Sequence, residues 1–331
     1  MKQHTSFLKK YIEKIHHSHV VIIIILLLVM GIVWTYLIYI PRISNVLKNS
    51  HSLLNPALIV LNEKDLIVDF QELREYLTKT YEDREDYLVS IYFEYLPTGA
   101  NITINKDEKI WPASLIKIPV AMSAMKKVEN KIWKLENELV ILDDDKDSEY
   151  GDMYKESTGS THTVKRFLEK SLIDSDNTAH FVILRNLDGN ELEDVYVHLG
   201  LDDVIETLKR APKNQNEVDN RITAKRYSIF FRSLYNATYL NQEYSQIFLD
   251  MLAKAPRDLL GLGIPASVPF VHKTGVRIDE GVRADSGIVY AQGRPYILTV
   301  MTQKKNGVLD EKEVSSLFED ISKKVYYYVT Q

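Results

Sequence analysis

The sequence predicts a two-lobed α+β domain. An antiparallel sheet assembled from the N- and C-terminal segments is flanked by helices, an all-helical lobe is inserted between its halves, and one transmembrane helix precedes the whole. Three observations carry this prediction. Period-two alternation of apolar residues occurs near both ends of the domain, in 87–105 and in 288–301. Helical periodicity fills the span between, from Leu115 to about 255. An uncharged apolar run, Val20 to Ile40, comes before all of it.

That run matches the roughly 20 apolar residues needed to span a hydrocarbon core. Trp34, Tyr36 and Tyr39 lie towards its end, as in an interfacial aromatic belt. Lys2, Lys9, Lys10 and Lys14 precede it against one acid, Glu13, so the positive-inside rule places the N-terminus in the cytoplasm and the rest outside. A cleaved signal peptide would have a shorter core followed by a small-x-small site. Here the run ends in Tyr39-Ile40-Pro41-Arg42, which favours an uncleaved single-pass anchor in the plasma membrane. The expected organisation is a cytoplasmic tail (1–19), the anchor (20–40), a stalk (41–68) and an extracytoplasmic domain (69–331) whose helical lobe covers about 127–262.

Within the domain, Phe70, Leu73, Leu77 and Tyr81 recur at helical spacing and predict a first amphipathic helix. Tyr87, Val89, Ile91, Phe93 and Tyr95 share one face of a strand. A turn at Pro97-Thr98-Gly99 and renewed alternation over 101–105 complete a hairpin. Near the C-terminus, 288–290 and 296–301 are rich in β-formers around the turn Gly293-Arg294-Pro295. Val314, Leu317, Phe318, Ile321, Val325 and Tyr328 predict a closing helix.

Composition narrows the function classes. Of 331 residues, 45% are apolar and 26% charged, so a real core can form. The net charge of -5 offers no basic stripe for a nucleic-acid partner. The absence of cysteine rules out disulfides, thiolate metal sites and a cysteine nucleophile. None of the 9 histidines forms a His-Glu-x-x-His pattern, so neither a metal nor any other cofactor is expected.

Ser-x-x-Lys occurs at Ser6/Lys9, Ser114/Lys117 and Ser123/Lys126. The first falls on the cytoplasmic side and the third in mid-helix. Only Ser114 stands where a hairpin passes into a helix, and free N–H groups with a partial positive charge there favour an oxyanion. Lys117 falls on the same face, and a desolvated ammonium loses its proton readily enough to serve as a base. Pro119, just inside this helix, is expected to cost a hydrogen bond. Ser175-Asp176-Asn177 reads either as a helix cap or as a proton relay (Ser175) with an amide that binds substrate (Asn177). Lys273-Thr274-Gly275 leads into the C-terminal strands and supplies positive charge, a hydroxyl and room for a ligand along the strand edge. The acidic run Asp143, Asp144, Asp145 and Asp147 fails the calcium-loop pattern at Ser148 and Tyr154 and reads as a solvated loop.

These three motifs, in this order, resemble the penicillin-binding protein and serine β-lactamase superfamily, closest to the class A β-lactamase-related hydrolases. The resemblance runs from about Phe70 to the C-terminus. It rests on Ala113-Ser114-Leu115-Ile116-Lys117, on Ser175-Asp176-Asn177-Thr178-Ala179, on His272-Lys273-Thr274-Gly275 and on the stretch from Gly281 to Tyr290. It implies a β-lactamase/transpeptidase-like fold and an acyl-enzyme on Ser114. Lys117 and Ser175 would then shuttle protons, Lys273 and Thr274 bind a carboxylate, and the N–H groups of Ser114 and Val276 form the oxyanion hole. The implied partner is a β-lactam or a peptidoglycan-derived molecule, bound by a monomer. One departure matters. Class A enzymes carry a Glu-x-x-x-Asn element whose glutamate activates the deacylating water, whereas here Glu217 and Asn220 are one residue closer together. Glu217 is the candidate for a displaced base. Without one, deacylation would be slow, as in D,D-peptidases, penicillin-binding proteins or a non-hydrolytic sensor.

Overall fold

A computed structural model of the chain describes residues 27–31, 33–34, 68–204, 220–307 and 309–331. Two units separate, Met1–Ser52 and Leu53–Gln331. In the first, the described residues are helical and exposed, Leu27 and Trp34 among them. No described helix is long and apolar enough to cross a membrane. The remainder of the expected tail and anchor, and the whole of the stalk except Val68, lie outside the described residues.

The second unit is built on a five-stranded antiparallel sheet. Helix α1 (Gln71–Tyr81) buries Leu73, Leu77 and Tyr81 as their spacing requires. Strands β1 (Tyr87–Tyr95) and β2 (Ala100–Ile104) form the first hairpin, with Phe93 opposite Ile102. The other three strands come from the far end of the chain: β5 (Phe270–Arg277), β6 (Val282–Val289) and β7 (Tyr296–Lys304). The strand order is β2-β1-β7-β6-β5, so β1 pairs with β7, and Phe93 faces Leu298. The β6 strand begins at Val282, earlier than alternation suggested, because Arg283 and Asp285 lie in it and break the apolar pattern.

Between the hairpin and β5 lie α2 (Lys117–Glu129), α3 (Val164–Ile173), α4 (Asn177–Arg185), α5 (Gly189–His198), α6 (Ala224–Asn236) and α7 (Gln242–Leu252). The inserted lobe is not all-helical. It contains a short ribbon of β3 (Glu138–Val140) and β4 (Thr161–Thr163), with Leu139 opposite His162. Three-residue strands without a buried face leave no alternation to read. Helix α8 (Glu311–Thr330) closes the chain and buries Val314, Phe318, Ile321 and Val325, with Val329 taking the place expected for Tyr328.

Two apolar cores result. One lies between one face of the sheet and α1 and α8, and includes Leu73, Phe93, Leu298 and Phe318. The other joins the opposite face, through Tyr92, Ala284 and Met301, to Met125, Phe167 and Phe231 of the helical lobe. Both faces of β1 are therefore covered, and of its nine residues only Leu88 escapes full burial. Each large apolar side chain so buried contributes about 1.5–3 kcal/mol. Strand β5 remains at the sheet edge beside the helical lobe, and the three motifs meet there.

Candidate active site

Ser114 lies in a 3-10 turn, Ala113–Ile116, that runs directly into α2. Leu115 is fully buried, and its carbonyl accepts from the Tyr227 hydroxyl at 2.8 Å, so α6 anchors the turn. Ala113, immediately before Ser114, has φ of 48°. A non-glycine residue there is strained, and such strain persists only where packing enforces it. Side chains three apart eclipse in a 3-10 turn, which brings Lys117 back over Ser114. Lys117 Nζ lies 3.0 Å from Ser114 Oγ and donates to Asn177 Oδ1 at 2.6 Å.

The Ser-Asp-Asn segment fulfils both of its readings. Asp176 caps α4, accepting from Ala179 N–H at 2.8 Å. It also accepts from Asp152 N–H at 2.7 Å and Met153 N–H at 2.9 Å, which ties a surface loop to the helix start. That leaves Ser175 and Asn177 on either side of the cap for other work. Ser175 has φ of 57°, a second strained position, and its Oγ accepts from Lys273 Nζ at 3.0 Å.

Ser114, Ser175, Lys273, Thr274 and Val276 line one cleft of about 370 Å³, with Tyr150 at its wall. Lys117 and Asn177 join it through Ser114. Both lysines are buried, at 3% and 2% exposure, and among the described residues no carboxylate touches either ammonium. Burial lowers the Lys117 pKa to about 7, helped by the positive charge of Lys273 and opposed by Asp176 and Asp147. Burial lowers Lys273 to about 8, against the pull of Asp285 and Asp258. Near neutral pH, a lysine beside a serine hydroxyl is thus poised to accept a proton, while a second lysine keeps much of its charge across the cleft.

The family model described as the beta-lactamase enzyme family matches residues 71–329. The chain belongs to that family. It is accordingly a serine hydrolase acting on β-lactams, and the fold agrees. A β-lactamase of Bacillus licheniformis is 25% identical over 240 residues, 69% of this chain and 76% of the relative. Among solved structures, PBP-A superposes with a TM-score of 0.69 at 22% identity, covering 79% of this chain and 98% of its own. An ancestral class A β-lactamase gives 0.65 at 22%, covering 78% and 99%.

Measured against this β-lactamase frame, the structure brings together eight of the nine residues singled out in the sequence. The ninth, Glu217, lies outside the described residues. Asn220, three positions on, has a buried Oδ1 with no hydrogen-bond partner among them.

Two sequence expectations need correction, those on Pro119 and the acidic run, and a third gains a further reason. Gly275 does more than leave room for a ligand: a Cβ there would sit 2.7 Å from the Pro112 carbonyl oxygen and 3.4 Å from Ala113 Cβ, so glycine is what lets the Ser114 turn pack on β5. Pro119 costs no hydrogen bond, because α2 begins at Lys117 and its first turn has no intrahelical acceptor for that N–H. The acidic run is not merely solvated. Asp145 is 2% exposed and is held by Arg185 through Nε at 2.8 Å and Nη2 at 2.9 Å, and Asp147 accepts from Asn177 Nδ2 at 2.9 Å.

Sequence reading also missed a buried group beside Lys273. His272 Nδ1 meets Asp285 Oδ1 at 2.9 Å and its Nε2 meets the Pro256 carbonyl at 3.0 Å. With Asp258, these side chains place potential metal-ligand atoms within 4.8 Å of one another, but both ring nitrogens of His272 already have partners.

Proposed function

We propose that the chain is a membrane-anchored hydrolase whose domain stands outside the plasma membrane and whose Ser114 forms an acyl-enzyme with β-lactams. The observation that carries this reading is the buried Lys117 amine set between Ser114 Oγ and Asn177 Oδ1. Ser114 Oγ passes its proton to Lys117 and bonds to the lactam carbonyl carbon. The carbonyl electron pair moves onto oxygen, where the N–H groups of Ser114 and Val276 receive it; each such donor contributes about 2.7–4 kcal/mol in acyl-transfer enzymes. As the C–N bond breaks, Ser175 relays a proton to the leaving nitrogen. Lys273 and Thr274 hold the substrate carboxylate, and the free N–H of Asn177 Nδ2 meets a substrate amide carbonyl.

The anchor rests on the uncharged run Val20 to Ile40 and on the lysines before it.

A second reading concerns the fate of the adduct. One observation favours slow deacylation, as in a D,D-peptidase, a penicillin-binding protein or a sensor: Glu217 and Asn220 are closer together than in the class A pattern. Intact mass of the full chain in detergent, followed over time with benzylpenicillin, decides between them. A persistent adduct on Ser114 supports the second reading; one that disappears as penicilloate accumulates supports a β-lactamase and directs attention to Glu217. No adduct at any concentration would reject both.

A further inference from the structure

Asp147 lies in the loop between β3 and β4, and its surroundings fix its position closely. Its backbone N–H donates to Thr178 Oγ1 at 3.0 Å, and its carbonyl accepts from the same hydroxyl at 3.3 Å. The loop is thereby clamped to α4 one residue beyond Asn177. Its carboxylate Oδ1 accepts from Glu149 N–H at 2.8 Å and from Asn177 Nδ2 at 2.9 Å.

An asparagine amide presents an acceptor at one end and donors at the other. With Nδ2 held on a carboxylate, Oδ1 is the end that faces Lys117, and it accepts there at 2.6 Å. The flipped amide would set oxygen against carboxylate and NH2 against amine, losing both hydrogen bonds. Ser114, Lys117, Asn177 and Asp147 thus form one continuous chain of contacts, with a negative charge at its far end.

We propose that Asp147 is a positioning residue for acylation, its carboxylate orienting the Asn177 amide and, through it, holding Lys117 Nζ on the Ser114 hydroxyl. This rests on the reading that Lys117 takes the Ser114 proton. The charge of Asp147 has a separable effect. Four ionisable groups face Lys117: Lys273 from β5, Asp176 from the start of α4, His180 from the same helix, and Asp147 from the loop. Lys273 disfavours the ammonium, and His180, lowered to about 3 by burial and the two lysines, carries no charge at neutral pH. Asp176 and Asp147 favour the ammonium, and Asp176 is committed to three backbone N–H groups. Removing the Asp147 charge therefore makes Lys117 a base at lower pH.

The test compares the full chain in detergent with Asp147→Asn and Asp147→Ala. Asp147→Asn keeps an oxygen for Asn177 and removes the charge. The rising limb of its acylation rate against pH is expected to move down by ~0.5–1 pH unit, with the plateau within about threefold of wild type. Asp147→Ala removes the acceptor as well, and its plateau is expected to fall by about 10–100-fold. Titration of Lys117 in ¹³Cε-lysine-labelled, unacylated protein reads the same shift without any turnover. An unmoved Lys117 midpoint in Asp147→Asn, or a wild-type plateau in Asp147→Ala, overturns the assignment. Should Asp147→Ala fail to fold, the near-isosteric Asp147→Asn carries the decision. If wild-type protein takes up no acyl group, the Ser114 reading fails by itself, while the lysine titration still answers for Asp147.

Discussion

A Cβ on Gly275 would come within 2.7 Å of the Pro112 carbonyl oxygen, so the strand that carries Lys273 and the turn that carries Ser114 touch backbone to backbone. Gly275→Ala should force the two apart. The expected cost is about 1–3 kcal/mol of stability and at least a tenfold loss of acylation rate, because reacting groups shifted by an ångström lose orders of magnitude. Thermal unfolding and single-turnover acylation measure the two effects separately. Acylation at the wild-type rate would show that the contact does not set the geometry of Ser114.

Acylation should follow a narrow bell in pH. Lys117 must be neutral to act, so the rate rises as pH passes about 7. Lys273 must stay charged to hold a carboxylate, so the rate at low substrate falls as pH passes about 8. The two lysines interact, so the observed limbs belong to the pair. Stopped-flow acylation from pH 5.5 to 10 checks this, and a flat profile between 6 and 9 contradicts it.

The same burial fixes a trend in stability. The folded-state pKa of Lys117, about 7, lies below the 10.5 of a free lysine. Between those values the unfolded chain binds more protons, so stability rises with pH across that window and the penalty is complete below it. Lys117→Met should remove the Lys117 share of the rise, leaving only that of Lys273 above about pH 8, and stabilise the protein at pH 7 by an amount on the order of a few kcal/mol. Denaturant unfolding at pH 7 and pH 9 gives the comparison, and an equal pH slope in both proteins would refute it.

Asp145→Ala should cost about 2–3 kcal/mol, since it leaves Arg185 without the bidentate partner that ties the loop to α4. A loss in melting temperature with acylation chemistry largely preserved is the expected pattern. An unchanged melting temperature would return Asp145 to the status of a surface residue.

Helix periodicity and strand alternation revealed the framework because the elements that carry them are long and have one strongly buried face, as in α1, β1 and α8. Ser114, Lys117 and Lys273 were legible because local motifs encode them. What escaped was nonlocal. Asp147 and Asn177 are far apart in sequence, and nothing in an acidic run says which carboxylate will be buried. His272 and Asp285 meet only because the β5–β6 register sets Lys273 against Ser286. Gly275 was noticed for its position, but its reason lies in Pro112, on a segment that no strand pattern connects to it.

The pairing of β1 with β7 joins Phe93 to Leu298 across most of the chain. Contacts that distant are slow to close and cannot form while the chain is still emerging. The first hairpin must wait for the last strand, and the Ser114 turn must wait for β5 to supply the backbone it leans on. A chain cut short before Phe270 would therefore have the serine and its lysine but no cleft. Competence is therefore an all-or-nothing event, reached only once β5 and β7 have both been made.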